Sequence, residues 1–256
     1  MSDTPLKVWR EREGRLLRLR LNMPKANIVD ARMIAALDAA FSQLAEKKDT
    51  QAVLLDHEGP HFSFGASVEE HLPEQCARMI KALHAMIKTM LASPVPVLVA
   101  VKGQCLGGGL EVAMAGNLIF VAPDAMLGQP EIKLAVFAPT ASCLLTRLVA
   151  QQHAEDLLYS GRSITGARAA EIGLALESDP NPEAAALRYF DEHLAGLSAS
   201  SLGFAVEGAR GRFRAEVSAD LDRVEALYLQ GLMKTHDAVE GLQAFIEKRP
   251  PVWEHR

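Results

Sequence analysis

Cysteine is scarce in this sequence, basic residues never cluster, and no apolar run is long. Cys76, Cys105 and Cys143 are the three cysteines among 256 residues. They form no CxxC pair and lie in apolar segments, which excludes a disulfide framework and fits reduced structural thiols. Lysine and arginine number 27 against 32 aspartates and glutamates, a formal net charge of -5, and no basic block interrupts that balance. Nucleic acid and an anionic membrane surface are therefore poor partners. No apolar run approaches the roughly 18 residues of a membrane span, and the opening stretch MSDTPLKVWRERE has no apolar export segment, so a cytoplasmic location is expected. Histidines form no HExxH or similar set, which leaves no expected metal site. His57, His61, His71 and His84 read as surface or internally satisfied residues, although His61 and His71 flank a loop and can line a pocket.

What is present is a large apolar complement, 49% of residues, distributed with two alternating periods. LLRLRLN, residues 16 to 22, alternates apolar and basic residues as a half-exposed strand does, and EREG before it suits a hairpin turn. An amphipathic helix follows, with Asp30 as its N-cap, then the short buried strand of TQAVLLDHEG. The second long helix carries Met79, Leu83, Met86, Ile87 and Met90 at helical spacing, a core stripe. VPVLVAVKG and NLIFVAP read as two further strands. Strands alternating with helices predict a mostly parallel α/β sheet covered by helices. Beyond about Thr140 the strand signal ends and helical segments remain. This predicts a core with the active site over residues 1–195 and a helical region over 196–256, packed on that core and on neighbouring subunits. In the latter, Leu221, Val224, Leu227, Tyr228 and Leu232 form an apolar stripe that predicts homo-oligomerisation.

The chemistry concentrates in GQCLGGGLEVAMAGNLIF. Gly107, Gly108 and Gly109 follow a strand and open a helix-capable segment, where amides lack an intrahelical acceptor and carry the positive end of the helix dipole. The spacing matches neither a dinucleotide fingerprint nor a phosphate-binding P-loop. A single developing anionic oxygen needs only one or two such amides. Phe64, Gly65 and Ala66 lie in a loop after an earlier strand, where an amide can supply a second donor. Glu111 and Glu131 then add two carboxylates, one on the helix and one after the next strand, as acid and base beside an oxyanion site.

Together these stretches resemble the enoyl-CoA hydratase/isomerase (crotonase) superfamily. LNMPKANIVD, FSFGAS, the long central motif through LGQPEIKL, SGRSITGARAAEIGLA and DAVEGLQAFIEKRPPVW match its signature in order. The resemblance implies a crotonase-like spiral of ββα repeats with a C-terminal helical trimerisation region, assembling as a trimer or dimer of trimers. It implies a coenzyme A (CoA) thioester as substrate, no cofactor, an oxyanion hole at the amides of Ala66 and Gly108, and Glu111 and Glu131 as the catalytic pair. By the same resemblance Lys25, Ala26, Ser63, Phe245 and Lys248 fall where CoA is contacted.

The sequence also departs from that pattern. Ser67 stands where an aspartate is usual, and AVFAPTASC replaces a glycine-rich stretch. Ser67, Phe137, Ala138 and Thr140 are thus expected to reshape the acyl pocket. Within the superfamily the combination is most similar to the cyclic dienoyl-CoA hydratases of anaerobic aromatic degradation, which implies water addition to a cyclic dienoyl thioester. A general enoyl-CoA hydratase or isomerase is the alternative in the same fold. A non-catalytic CoA- or RNA-binding protein is the alternative of another class, opposed by the glutamate pair and the net acidity.

Overall fold

The computed structural model describes residues 4–46 and 49–256. Strands β1 (Leu6–Glu11) and β2 (Leu16–Leu21) form the hairpin, turning at Arg12–Gly14. Helix α1 (Ala31–Ser42) begins where the Asp30 carboxylate accepts the Met33 amide at 2.9 Å, as the N-cap reading requires. Next come β3 (Ala52–His57), α2 (Pro73–Leu91) and β4 (Val97–Val101). The methionine stripe of α2 is core, with Met79, Met86 and Met90 all buried.

Strands β5 (Gln104–Leu106) and β7 (Met126–Gly128) flank α3 (Gly108–Ala115) and β6 (Leu118–Val121). Helices α4 (Pro139–Leu148) and α5 (Gln151–Ser160) follow, then β8 (Ser163–Thr165), α6 (Gly166–Glu171), β9 (Glu177–Ser178) and α7 (Pro182–Tyr189). Helices α8 (Ala199–Ala226) and α9 (His236–Ile246) complete the chain. One six-stranded sheet runs β1-β2-β3-β4-β6-β9, parallel except at β1, and β5-β7-β8 form a second sheet. The successive turns leave α3 with its N-terminus at the junction of the two sheets, since Gly107 donates to the Gly128 carbonyl at the end of β7.

Three expectations need correction. First, β2 is not half-exposed: Leu16, Leu17, Leu19 and Leu21 are buried, and so is Arg18, 2% exposed. Its guanidinium meets Glu11 at 2.9 Å and also binds Asp56 and Glu183, while Trp9 lies 4.9 Å from it. A basic residue at an alternate position therefore marks a buried ion network, which apolar/polar alternation cannot distinguish from a solvated face. Second, strands do not end near Thr140, because β8 and β9 lie beyond it. Three and two residues long, they are too short to show a period.

Third, the stripe assigned to subunit contacts is mostly core of this chain. Leu221 and Val224 are buried where α8 packs on α2 and α4, Tyr228 is buried just beyond it, and among the stripe Leu227 is exposed at 55%. Helix α8 runs 28 residues, starting well before that stripe, and only Leu202, Val217, Leu221 and Val224 are buried along it. Its amphipathicity is correspondingly weak, which hid its length.

Candidate active site

Each of the three consecutive glycines is required by a different neighbour. Gly107 has φ 50° and ψ -130°, a conformation that L side chains rarely adopt, and a β-carbon there would stand 2.5 Å from Oε1 of Glu131. On Gly108 it would stand 3.1 Å from the Ala66 nitrogen, and on Gly109 2.4 Å from Cβ of Ser63. Close backbone approach is the common cause. The loop carrying Ala66 is laid directly on the first turn of α3, where the Gly108 amide has no acceptor within the helix.

Glu111, 2% exposed, sits in that first turn. Its Oε1 accepts the Ala141 amide, the first turn of α4, at 2.8 Å. Burial pushes its carboxyl above the ordinary range, and the amides of Ala141 and Thr140 oppose that rise. Glu131 lies in a 3-10 turn, Pro130–Leu134, after β7. The residue is half-buried, with its carboxyl end reaching inward to Gly107. Burial raises it too, and the charge of Glu111 adds to the rise. Both carboxyls are thus displaced in the same direction, Glu131 with the added push of its neighbour. Gln129, which sequence reasoning missed, donates its amide nitrogen to both Glu131 oxygens at 3.1 and 3.2 Å when turned to meet acceptors. Nothing in its local pattern marks it.

A cavity of about 330 Å³ opens over Gly107 and Glu131, while Glu111 and Gly108 do not line it. Ala66, Gly107 and Glu131 line it together with Phe64, His71 and Phe245. The size suits a small ligand, and the walls are largely apolar with few convergent polar groups. His71 holds the Ser67 carbonyl at 2.7 Å through Nδ1, and burial lowers its titration. Lys133 also lines the mouth, a cation that sequence reasoning did not single out.

The remaining candidates divide. Lys25 and Ala26 line an adjoining groove between residues 22 and 30, where Asn27 braces the loop by accepting the Met23 amide at 2.8 Å and donating to the carbonyls of Glu58 and His61. Ser67, expected in the acyl pocket, lines this groove instead, and its hydroxyl donates to Glu69 at 3.0 Å. Ser63, expected at CoA, is fully buried. Its hydroxyl donates to the Asn27 carbonyl and accepts the Gly65 amide, so it braces the Ala66 loop. Phe245 lines the cavity, whereas Lys248 is exposed beyond the end of α9 and lines neither space. Phe137, Ala138 and Thr140 lie behind Glu111 in the segment entering α4 and do not line the open cavity. Among the described residues no group of three or more His, Cys, Asp or Glu side chains is placed to hold a metal ion, and no helix is long and apolar enough to cross a membrane.

Comparison with known proteins identifies the family. The family model described as enoyl-CoA hydratase/isomerase matches residues 11–256. The chain is 64% identical over 255 residues to the cyclohexa-1,5-dienecarbonyl-CoA hydratase of Thauera aromatica, covering 100% of this chain and 99% of that protein. It is 31% identical to a probable enoyl-CoA hydratase of Mycobacterium bovis, covering 96% and 97%. Among solved structures, a putative enoyl-CoA hydratase from Mycobacterium avium paratuberculosis superposes with a TM-score of 0.87 over 97% of this chain and 99% of its own, at 21% identity. An enoyl-CoA hydratase/isomerase from Pseudoalteromonas atlantica superposes with a TM-score of 0.82 at 26% identity, covering 97% and 99%. The fold is therefore crotonase-like, and the chain belongs to the enoyl-CoA hydratase/isomerase family.

Proposed function

We propose that this protein is a hydro-lyase that adds water to a cyclic conjugated dienoyl-CoA thioester, converting cyclohexa-1,5-diene-1-carbonyl-CoA into 6-hydroxycyclohex-1-ene-1-carbonyl-CoA in anaerobic benzoyl-CoA degradation. The observation that carries the substrate is the 64% identity, over essentially the full length of both chains, to a hydratase named for that thioester. The site supports the chemistry. The amides of Ala66 and Gly108, side by side at the helix N-terminus, bind the thioester carbonyl and stabilise the negative charge that builds on its oxygen.

Glu111 and Glu131 share the proton transfers. One, as carboxylate, takes a proton from water as its oxygen bonds to the β carbon of the ring. The displaced electron pair moves onto the thioester oxygen as a dienolate. The other, as carboxylic acid, gives its proton to the γ carbon, and the dienolate collapses with its remaining double bond conjugated to the carbonyl. The sum is a 1,4-addition of water. Raised carboxyl values suit this division, because one group can keep its proton near neutral pH while the other accepts. Only protons and water are exchanged, so the reaction calls on no redox cofactor.

Lys25 and Ala26 in the groove and Phe245 and Lys133 at the cavity mouth are placed to contact the CoA moiety. We further propose a cytoplasmic homo-oligomer, a trimer or dimer of trimers, supported by apolar side chains left outside, such as Phe204 on α8, 82% exposed. Molar-mass measurement at micromolar concentration tests it, and a monomer alone rejects it. The function is tested by comparing kcat/KM for the cyclic dienoyl-CoA and for crotonyl-CoA under one set of conditions. A preference of about one to two orders of magnitude for the ring is expected from fit alone. Equal values, or a preference for crotonyl-CoA, would make the chain a general hydratase.

A further inference from the structure

Two buried hydroxyls stand behind the glutamate pair with no hydrogen-bond partner among the described residues: Oη of Tyr228 and Oγ1 of Thr140. Both residues are 0% exposed. A buried hydroxyl without a partner is costly, and a native fold that keeps one on Tyr228 and another on the segment packed against it points to a ligand that satisfies them. Their placement is constrained from both sides. Tyr228 follows α8, and its ring meets the edge of Phe137, centroids 5.2 Å apart, which holds the ring in place. Phe137 and Thr140 belong to the one segment that enters α4, and the next residue, Ala141, donates to Glu111.

The ionisable neighbours that bear on the Tyr228 phenol are Cys76, Glu131 and Glu111. Burial drives the Cys76 thiol up to about 11, so it stays neutral. Burial and the two carboxyls drive the phenol upward as well, so it remains a protonated donor throughout the working pH range. A neutral phenol that feels both carboxyls and has no acceptor of its own is suited to an uncharged oxygen that arrives beside them. Resting on the hydratase reading, that oxygen is the water to be added and, after reaction, the hydroxyl on the product ring.

We propose that Tyr228, assisted by Thr140, forms the subsite for the oxygen that enters the substrate, the phenol donating a hydrogen bond to that oxygen. The phenol gives up no proton. In the hydration direction the water's proton passes to a glutamate and its oxygen bonds to carbon, while the phenol holds the oxygen in line with the β carbon. In the reverse direction the same bond stabilises the departing hydroxyl. Tyr228 is thereby a catalytic residue that distinguishes hydroxylated from unsaturated thioester.

The test compares the wild-type protein with Tyr228→Phe and Thr140→Val. Turnover is read on whichever unsaturated thioester the wild type hydrates, and affinity for that thioester and its hydroxylated product is read by calorimetry on each protein. Tyr228→Phe should lower kcat by about 10- to 100-fold and weaken product binding by about tenfold, with affinity for the unsaturated thioester unchanged within about threefold. Its melting temperature should hold or rise, since an unsatisfied hydroxyl is removed. Thr140→Val should shift product affinity in the same direction by less. Unchanged kcat and product affinity in Tyr228→Phe, or equal losses for both thioesters, would overturn the proposal while leaving the hydratase reading intact. A wild type that hydrates only a straight-chain thioester would reject the cyclic substrate instead, and the same pair of affinities would still decide the role of Tyr228. A wild type that hydrates no thioester overturns both.

Discussion

The carboxyl of Glu131 occupies the space that a side chain on Gly107 would need. The 2.5 Å separation between Oε1 and a β-carbon built there is shorter than any real contact of that kind, and φ of 50° at Gly107 is itself unfavourable for other residues. Gly107→Ala should therefore displace Glu131 and strain the turn into α3 together. Strain of this kind costs on the order of 1–3 kcal/mol. We expect a folded but less stable variant whose kcat for hydration falls at least about tenfold, with CoA-ester affinity nearly retained. Wild-type turnover in Gly107→Ala would show that the Glu131 carboxyl need not be where the structure places it.

Removing the charge from either glutamate should separate activity from stability. Glu111→Gln and Glu131→Gln should each lower kcat by about 10²- to 10⁴-fold, the range for loss of a positioned acid or base. Stability should move the other way, with a pH dependence of known sign. Both carboxyls have folded-state values raised above 4.5 by burial, so the native protein binds more protons than the unfolded chain above that pH. The stability this confers is complete below about 4.5 and is lost as pH rises through the raised folded values. The glutamine variants lack that loss. Their melting temperatures should match wild type near pH 5 and exceed it by about 2–4 °C near pH 9, equivalent to about 1 kcal/mol. Scanning calorimetry at the two pH values checks it, and a constant difference across pH contradicts the assignment.

Gly108→Pro removes one amide at a position where proline is ordinarily tolerated, the first residue of a helix. If that amide binds the thioester oxygen, the barrier should rise by about 2.7–4 kcal/mol, a loss of 10²- to 10³-fold in kcat. The ring must fit against Ala66, 3.1 Å from an ideal β-carbon, so a melting curve has to accompany the kinetics. A folded variant with undiminished kcat would remove Gly108 from the oxyanion site.

What the sequence disclosed and what it withheld follow one physical division. Asp30 as a cap, the methionine stripe of α2 and the glycines before α3 depend on neighbours within a few residues, and local pattern exposes them. The pairing of Glu111 with Glu131 spans two sheets but was carried by resemblance to a known signature. Ser63 and Ser67 stand four residues apart in one loop, and sequence position alone does not show which way each faces. Ser63 turns inward to Asn27, and Ser67 turns outward to Glu69. Tyr228 was read as a contact between subunits because helical spacing shows that a face is apolar and not what covers it. Here the ring is buried in the core of the same chain, with Phe137 against it. Gln129 left no trace, since its importance arises only where its amide meets Glu131.

Arg18 offers the sharpest test of a misread residue. Its guanidinium is 2% exposed and shares Asp56, side chain 4% exposed, with Arg20 on the same strand, while Glu11 and Glu183 close the network from more open positions. Trp9 lies against both cations, at 4.9 and 5.3 Å. Asp56 bridges the two arginines across the β2-β3 pairing, where Arg20 and Asp56 are register partners. Removing Asp56 takes away the one carboxylate buried with Arg18 and leaves both arginines to Glu11 and Glu183, which sit in more open positions. Asp56→Ala should therefore destabilise the protein by about 3–5 kcal/mol. Glu183→Ala should cost about 1 kcal/mol or less, because its side chain is 39% exposed and solvent can replace it. Salt separates the two further, since screening weakens exposed pairs and hardly reaches buried ones. Urea unfolding of both variants at low and high ionic strength measures the difference. Equal, small costs would mean that Arg18 finds enough solvation without Asp56, and that β2 is as open at this position as its alternating sequence suggests.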